Sequence, residues 1–245
     1  MSPEPGGAFE PTVRDGLLHV EGTGVRWLSS APGDGFCDAD AAYNVTVPEG
    51  WDRTDLDVYA SERRDSAGFD EPGPTLFTGV DQTHLRGARL DSVVAYATAG
   101  LSNPAALSMS AAQGQERETE AAPVTDEEPP FGTVNVIVGT TRALDDGTLA
   151  SLYGVVVEAK AATLLAETGF PGTTSDAAVV GTNLSGEPAT FAGSSTAVGS
   201  AARACVRDAV RASLDARYAE ESIPESVEAA AYGVSTTRRA ALFEP

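Results

Sequence analysis

The hydrophobic pattern along residues 132–182 changes from that of a strand to that of a helix and back to that of a strand. The nearly continuous β-branched run from Thr133 to Val138 predicts a strand covered on both faces, with Asn135 as its one polar side chain. The apolar segment that follows predicts a long helix. Two aspartates can cap its start, and a glycine with a proline beyond it can stop its end: Asp145, Asp146, Gly169 and Pro171.

This predicted helix is apolar almost all the way round, which is typical of a buried helix. Glu158 and Lys160 are the only charged residues between Asp146 and Glu167. At about 100° per residue they point to nearly opposite sides, so they cannot pair with each other. We therefore expect both to be buried and each to need a partner or a ligand elsewhere. A purely structural network of buried charges is the alternative.

The rest of the chain predicts more strands and a second long helix. Leu17–Leu28 predicts a hairpin with a turn near Gly22–Gly24. Residues 193–196 lead into a helix that ends near Tyr218. Other strands are predicted at Ala42–Val47, Ser92–Thr98, Ala189–Ala192 and Tyr232–Ser235. We interpret residues 1–245 as one α/β (or α+β) domain with a central, mostly buried sheet and packed helices, a disordered start (1–8) and an acidic flexible insert (108–131).

Three apolar strands end in small and polar residues, at Thr98–Asn103, Gly139–Arg142 and Gly181–Asn183. If these ends lie on one edge of the sheet, they form a crevice lined by hydroxyls, amides and one arginine. Open α/β sheets usually bind ligands at such strand ends. Ordinary turn chemistry gives the same composition, so the pattern alone leaves both interpretations open.

The excess of acidic over basic residues argues against some classes of binding partner. With 36 acidic and 16 basic residues, the formal net charge is −20, which argues against nucleic acid and against an anionic membrane. A single lysine among the basic residues is typical of haloarchaeal cytoplasmic proteins, whose acidic surface holds water. No apolar run reaches the ~18 to 20 residues that span a bilayer, and no signal peptide is recognisable, so we expect a soluble cytoplasmic protein.

Few side chains suit a metal or proton transfer near neutral pH. Cys37 and Cys205 are far apart and lack a metal-type spacing, so no metal or other cofactor is predicted. His19 alternates with apolar residues, which favours a structural role. His84 remains a candidate proton-transfer group, although a structural role is favoured there too.

Several motifs together resemble one known family. TAGLSNP at 98–104, GTVNVIVGTTRALDDGTL from 132, EAKAATL at 158–164, GTTSDAAVV at 172–180 and FAGSSTAVG from 191 are similar to the adenosylcobinamide amidohydrolase family, as is YNVTVP at 43–48. The likeness covers roughly residues 17–218 in the family's order. It implies hydrolysis of the amide that joins the aminopropanol arm to the corrinoid, giving adenosylcobyric acid and 1-amino-2-propanol in cobalamin salvage, with the corrinoid as small-molecule partner. A non-catalytic corrinoid-binding protein and an amidase for another substrate are the alternatives.

Two arrangements could catalyse such a hydrolysis. In the first, Glu158 or Asp176 acts as general base on a water, while Lys160 or Arg142 with backbone amides holds the oxyanion. In the second, a hydroxyl attacks, and the candidates are Thr173, Thr174, Ser175, Ser194 and Thr196. The absence of a nucleophile-elbow motif favours the water slightly. The predicted catalytic residues are Glu158, Lys160, Asp176 and Thr174, and the predicted substrate-binding residues are Asn44, His84, Asn103, Asn135, Arg142, Ser194 and Thr196.

Overall fold

The computed structural model describes residues 8–31, 33, 35–48, 50–109, 132–230 and 232–244. Most of the predicted acidic insert and of the predicted disordered start, residues 110–131 and 1–7, lies outside this part of the chain. Ala8 is half-buried against a core cluster.

Eight of the described strands form one mixed sheet with helices packed against it, as predicted for an α/β domain. The strands are β1 (Glu10–Arg14), β2 (Leu17–Ser29), β3 (Phe36–Thr46), β4 (Thr75–Thr78), β5 (Arg86–Leu90), β6 (Val93–Ala99), β8 (Val134–Ala143) and β9 (Ala177–Pro188). Their order is β4-β3-β2-β9-β8-β6-β5, with β1 added to β2. Two short strands, β7 (Ala105–Leu107) and β10 (Val234–Thr236), pair separately, and the helices are α1 (Leu56–Ala67), α2 (Asp146–Thr168) and α3 (Ala197–Arg217).

The bounds predicted for α2 are confirmed by its caps. The side chain of Asp145 accepts a hydrogen bond from the Thr148 amide at 2.7 Å, and Gly169 ends the helix with a φ of 79°. The prediction that α2 is buried all round is wrong: Leu152 and Val156 face the core, whereas Leu165 is exposed. We expected no segment long and apolar enough to cross a membrane, but α2 is one by length and composition. Many of its apolar side chains pack against the sheet and α3.

The prediction of a hairpin at Leu17–Leu28 is wrong. This segment lies in the single strand β2, which has a register shift between Glu21 and Val25. A Cβ on Gly22 would lie 2.8 Å from Cγ2 of Val25, and Gly24 has a φ of +67°. The glycines therefore mark a close approach and a bulge within the strand. Leu18 and Val20 of the first half of β2 and Leu76 of β4 pack in one cluster with Ile137 of β8, so this half of β2 covers the second face of the sheet.

Each face of the sheet buries its own core. Along β8, Val136 and Val138 face α2 and α3, while Ile137 faces a second cluster around Trp27 and Phe9. Both sides of β8 are thus covered, as the β-branched run predicted. A third, smaller cluster lies under α1.

Strand direction overturns the prediction of one crevice. β8 and β9 are parallel, whereas β6 runs antiparallel to β8. The segment Thr98–Asn103 therefore lies at the edge where β8 and β9 begin, which we call the amino edge. Gly139–Arg142 and Gly181–Asn183 lie at the opposite, carboxyl edge. The strand predicted at Ala189–Ala192 is not formed, because β9 continues to Pro188 and irregular chain follows.

His19 has a structural setting, in keeping with its sequence pattern. The residue is 8% exposed, and its ring stacks on that of Phe69 with the ring centroids 4.4 Å apart. Burial lowers the pKa of His19 below its usual 6.5, although Glu71 and Glu21 oppose the shift. The folded protein thus favours the neutral imidazole.

We expect the free energy of unfolding to fall as the pH drops below 6.5, where unfolded chains take up a proton on His19 that the native state resists. This contribution to stability is fully present above pH 6.5. It decreases as the pH falls from 6.5 to the lower pKa that His19 has in the native state. Urea titrations between pH 8 and pH 5 should show a smaller fall for His19→Leu than for the natural protein. His84→Leu is the control, and an equal reduction in both variants would contradict the assignment.

Candidate functional site

Asp176 lies just before β9 at the amino edge and ties three elements together. Its carboxylate accepts hydrogen bonds from the amides of Val134 at 2.9 Å and Thr173 at 3.1 Å. It also accepts from the Thr173 hydroxyl and from Nζ of Lys160 on α2. Four donors match the roughly four lone-pair sites of a carboxylate, so its orientation is fixed.

Lys160 is buried, as predicted, and its partner is Asp176. The two side chains are 9% and 10% exposed. Every other ion pair between described residues has at least one side chain more than a quarter exposed. An ammonium has three N–H groups, and among the described residues only Asp176 accepts from this one. Two N–H groups are left for another acceptor.

Gly172 makes room for this ion pair. A Cβ at this position would lie 2.5 Å from Oδ2 of Asp176 and 3.9 Å from Nζ of Lys160. A side chain would therefore displace the carboxylate from its donors.

A row of hydroxyls and one amide borders the ion pair. Nδ2 of Asn103 donates to Oγ1 of Thr174 at 2.6 Å and to Oγ of Ser175 at 3.4 Å. The Ser175 and Thr133 hydroxyls are 2.9 Å apart. Asn103 and Thr133 are buried, while Thr174 and Ser175 are exposed. We call Asn103, Thr133, Lys160 and residues 173–176 the amino-edge site.

Asn44 and Asn135 lie behind this site, inside the folded sheet. Nδ2 of Asn44 donates to Oγ1 of Thr98, and Nδ2 of Asn135 donates to Oδ1 of Asn44, both at 2.9 Å. Both asparagines are at most 2% exposed. They brace the two halves of the sheet against each other, so in this geometry they do not present a surface to a ligand.

The predicted burial of Glu158 is wrong. It is exposed on the outer side of α2, where it pairs with Arg203 of α3. The reason is geometric: α2 buries one side, and Glu158 lies about 200° around the helix from Lys160.

Three predicted binding residues lie away from the amino edge. Arg142 pairs with Glu187 at 2.8 Å at the carboxyl edge, on the order of 25 Å along β8 from Val134. Thr196 caps α3 by accepting from the Gly199 amide at 3.0 Å. Ser194 is exposed in a groove between α2 and α3. The predicted grouping of these three with Lys160 and Asp176 is therefore wrong.

His84 lies next to the C-terminal half of α3. Its carbonyl accepts from the Ser213 hydroxyl at 2.9 Å, and that hydroxyl accepts from the Ala99 amide. The side chain is half-buried. Among the described residues, no three His, Cys, Asp or Glu side chains form a group that could hold a metal ion.

Sequence reasoning missed Thr133 and the spatial role of Gly172. The spacing of Thr173 and Asp176 was a usable signal, since a hydroxyl residue and an acid three positions apart often exchange hydrogen bonds in a turn. Nothing in the sequence indicated that Asn103 would face this turn, because that contact depends on the direction of β6.

Glu158→Gln should leave turnover of adenosylcobinamide, the substrate that the motifs imply, within about twofold of the natural rate, because Glu158 is exposed on the side of α2 opposite Lys160. The free energy of unfolding should change by less than about 1 kcal/mol, as for most surface ion pairs. Steady-state kinetics and urea titration measure both. If the folded variant instead turned over at least about 100-fold more slowly, the scale of a lost general base, Glu158 would be restored as a candidate for that role.

Comparison with known proteins identifies the same family that the sequence motifs resemble. The family model described as adenosylcobinamide amidohydrolase matches residues 8–222. An adenosylcobinamide amidohydrolase of Halobacterium salinarum is 50% identical over 239 residues, which cover 97% of this chain and 100% of that protein. The source of this relative fits the acidic, lysine-poor composition. The chain belongs to the adenosylcobinamide amidohydrolase family.

Proposed function

We propose that this protein hydrolyses, at the amino-edge site, the amide between the aminopropanol arm and the corrinoid of adenosylcobinamide. The products are adenosylcobyric acid and 1-amino-2-propanol, and the reaction serves cobalamin salvage in the cytoplasm. Family membership supports the activity. The observation that supports the location is the buried pair of Lys160 and Asp176 beside exposed hydroxyls.

Asp176 is the general base in this proposal. Of its four donors, only the Thr173 hydroxyl can turn away by rotation about one bond. A water then takes its place at Oδ1, and Asp176 removes a proton as the water oxygen attacks the amide carbon. When the tetrahedral intermediate collapses, the C–N bond breaks, its electron pair stays on nitrogen, and the amine takes the proton back from Asp176.

Lys160 stabilises the oxyanion. Its two remaining N–H groups can face the carbonyl oxygen of the substrate, and their charge is strongest in a water-poor site. Arg142, the alternative cation, lies at the carboxyl edge beside Glu187, which supports Lys160 for this role. The hydroxyls of Thr174 and Ser175 hydrogen-bond Asn103 and Thr133 rather than a carboxylate, which favours water as the nucleophile over either of them. The Thr173 hydroxyl does donate to Asp176, so attack by Thr173 is the alternative to attack by water.

Incubation with adenosylcobinamide in molar salt tests the function. Mass spectrometry should find adenosylcobyric acid and 1-amino-2-propanol in equal amounts. Binding without cleavage would support a corrinoid carrier instead, and neither binding nor cleavage would support an amidase for another substrate.

A further inference from the structure

The C-terminal segment returns to the amino edge and pairs there with the chain beyond Asn103. β7 and β10 form a parallel ribbon in which Val234 is opposite Ala105. The Val234 amide donates to the Pro104 carbonyl at 2.9 Å, and the Tyr232 amide donates to the Ser102 carbonyl at 3.0 Å. The β10 strand of this ribbon lies beyond residues 8–222, which the family model matches.

The ribbon is continuous with the amino-edge site. The Ala105 amide donates to the Gly172 carbonyl at 2.9 Å, and Pro104 forms a β-bridge with Thr173. The Thr174 amide donates to the Asn103 carbonyl at 3.2 Å. One hydrogen-bonded layer thus joins the ribbon to the turn that carries Asp176.

Large apolar side chains on and beside this ribbon are exposed. Tyr232 is 54% exposed, Val234 47%, Leu107 57% and Met109 84%. Single exposed apolar residues are ordinary, but four on or beside one short ribbon of a protein of net charge −20 indicate a surface that meets an apolar ligand. No described strand pairs with the outer edge of β10, so backbone groups there are open to polar groups of the same ligand.

The chemistry of the proposed substrate matches this surface. The reacting amide is carried on a short arm of the corrinoid, so the macrocycle must rest beside Lys160 and Asp176. The macrocycle is broad and largely apolar on its faces, with carboxamides around its rim. We propose that the ribbon of β7 and β10 is the platform for the macrocycle of the substrate, with the Tyr232 ring against it and rim carboxamides paired to the edge of β10. This inference rests on the proposed function.

Phe191 serves as a control for Tyr232, because it is an exposed aromatic residue away from the amino edge. It is 75% exposed and lines a groove of about 580 Å³ between the starts of α2 and α3. That groove is at the carboxyl edge, separated from the amino edge by the length of β6, roughly 20 Å. A molecule whose amide reacts at Lys160 on a short arm cannot also rest its ring there.

Tyr232→Ala, in the full chain and in molar salt, should raise the KM for adenosylcobinamide about tenfold, the scale of one lost aromatic contact, and leave kcat within about threefold. The Kd for cobinamide in equilibrium dialysis should rise in parallel. Tyr232→Phe keeps the ring and should retain the natural KM. Phe191→Ala should also leave KM and Kd unchanged.

An unchanged KM and Kd in Tyr232→Ala, or a rise in both in Phe191→Ala alone, would overturn the platform. If the natural protein cleaves adenosylcobinamide while either of these results is found, the proposed function stands and only the platform fails. If the natural protein itself fails to cleave it, the proposed function fails. Dialysis with cobinamide still decides the platform then, because Tyr232→Ala must weaken binding whether or not cleavage follows.

Discussion

Asp176→Asn should slow turnover of adenosylcobinamide by roughly 10²- to 10⁴-fold, the usual contribution of a general base. An asparagine has nearly the same shape, and its one side-chain oxygen can still accept from either the Val134 amide or the Thr173 amide, which donate to different oxygens of the aspartate. It cannot take a proton from water at neutral pH, however. The folded protein should lose stability, because the buried Lys160 ammonium is left without its counter-ion, and the proton transfer should be lost.

Steady-state kinetics in molar salt measures this effect, and circular dichroism verifies the fold. Asp145→Asn is the matched control, since it makes the same chemical change at the cap of α2, where asparagine serves as well as aspartate. Its turnover should remain that of the natural protein. A folded Asp176→Asn protein with unaltered turnover would remove Asp176 from the chemistry and leave it a structural clamp.

The local elements of this fold are legible in the sequence because short-range physics sets them. The β-branched run predicts β8, and the cap at Asp145 with the stop at Gly169 bounds α2. The glycines near Gly22 were misleading, since a positive φ and a close approach serve a bulge as well as a turn. In the folded chain Gly22 lies close to the side chains of Val25 and Trp27, a contact that the local sequence does not reveal.

The sequence singled out several polar residues that the structure brings together, but it did not predict which of them would meet. Lys160, Asp176, Thr174 and Asn103 meet at the amino edge, and each stood out as a polar residue in or beside an apolar element. Arg142 looked equivalent because it too follows an apolar strand. Because β6 runs antiparallel to β8, Arg142 lies at the opposite edge of the sheet from Asn103. The direction of a strand depends on its pairing with distant strands, which no local sequence pattern encodes.

Glu158 shows a second limit of pattern reasoning. An apolar helix predicts burial, but a helix on the outside of a sheet buries one side, and apolar composition does not say which. The opposite directions of Glu158 and Lys160 were correctly deduced from helix geometry. Applied to a helix with one open face, that same deduction implies that only one of the two charges is buried.

Lys160→Met should lower the free energy of unfolding by about 3 to 5 kcal/mol at neutral pH, the usual result of removing one partner from a buried ion pair. Methionine fills a similar volume, so the loss reflects the Asp176 carboxylate left without its cation, not a cavity. Urea titration in molar salt measures the change. High salt should reduce it little, because buried charges are poorly screened.

The double variant Lys160→Met with Asp176→Asn separates this electrostatic cost from the loss of the lysine itself. Once the carboxylate is neutral, the missing ammonium no longer leaves a buried charge uncompensated. The double variant should therefore be more stable than Lys160→Met alone, with a coupling free energy of about 1 to 3 kcal/mol. It should nevertheless show no turnover of adenosylcobinamide, because both the proposed base and the proposed oxyanion donor are gone. Strictly additive losses of stability would mean that the two side chains do not share a buried ion pair in solution, and the location proposed for catalysis would lose its physical basis.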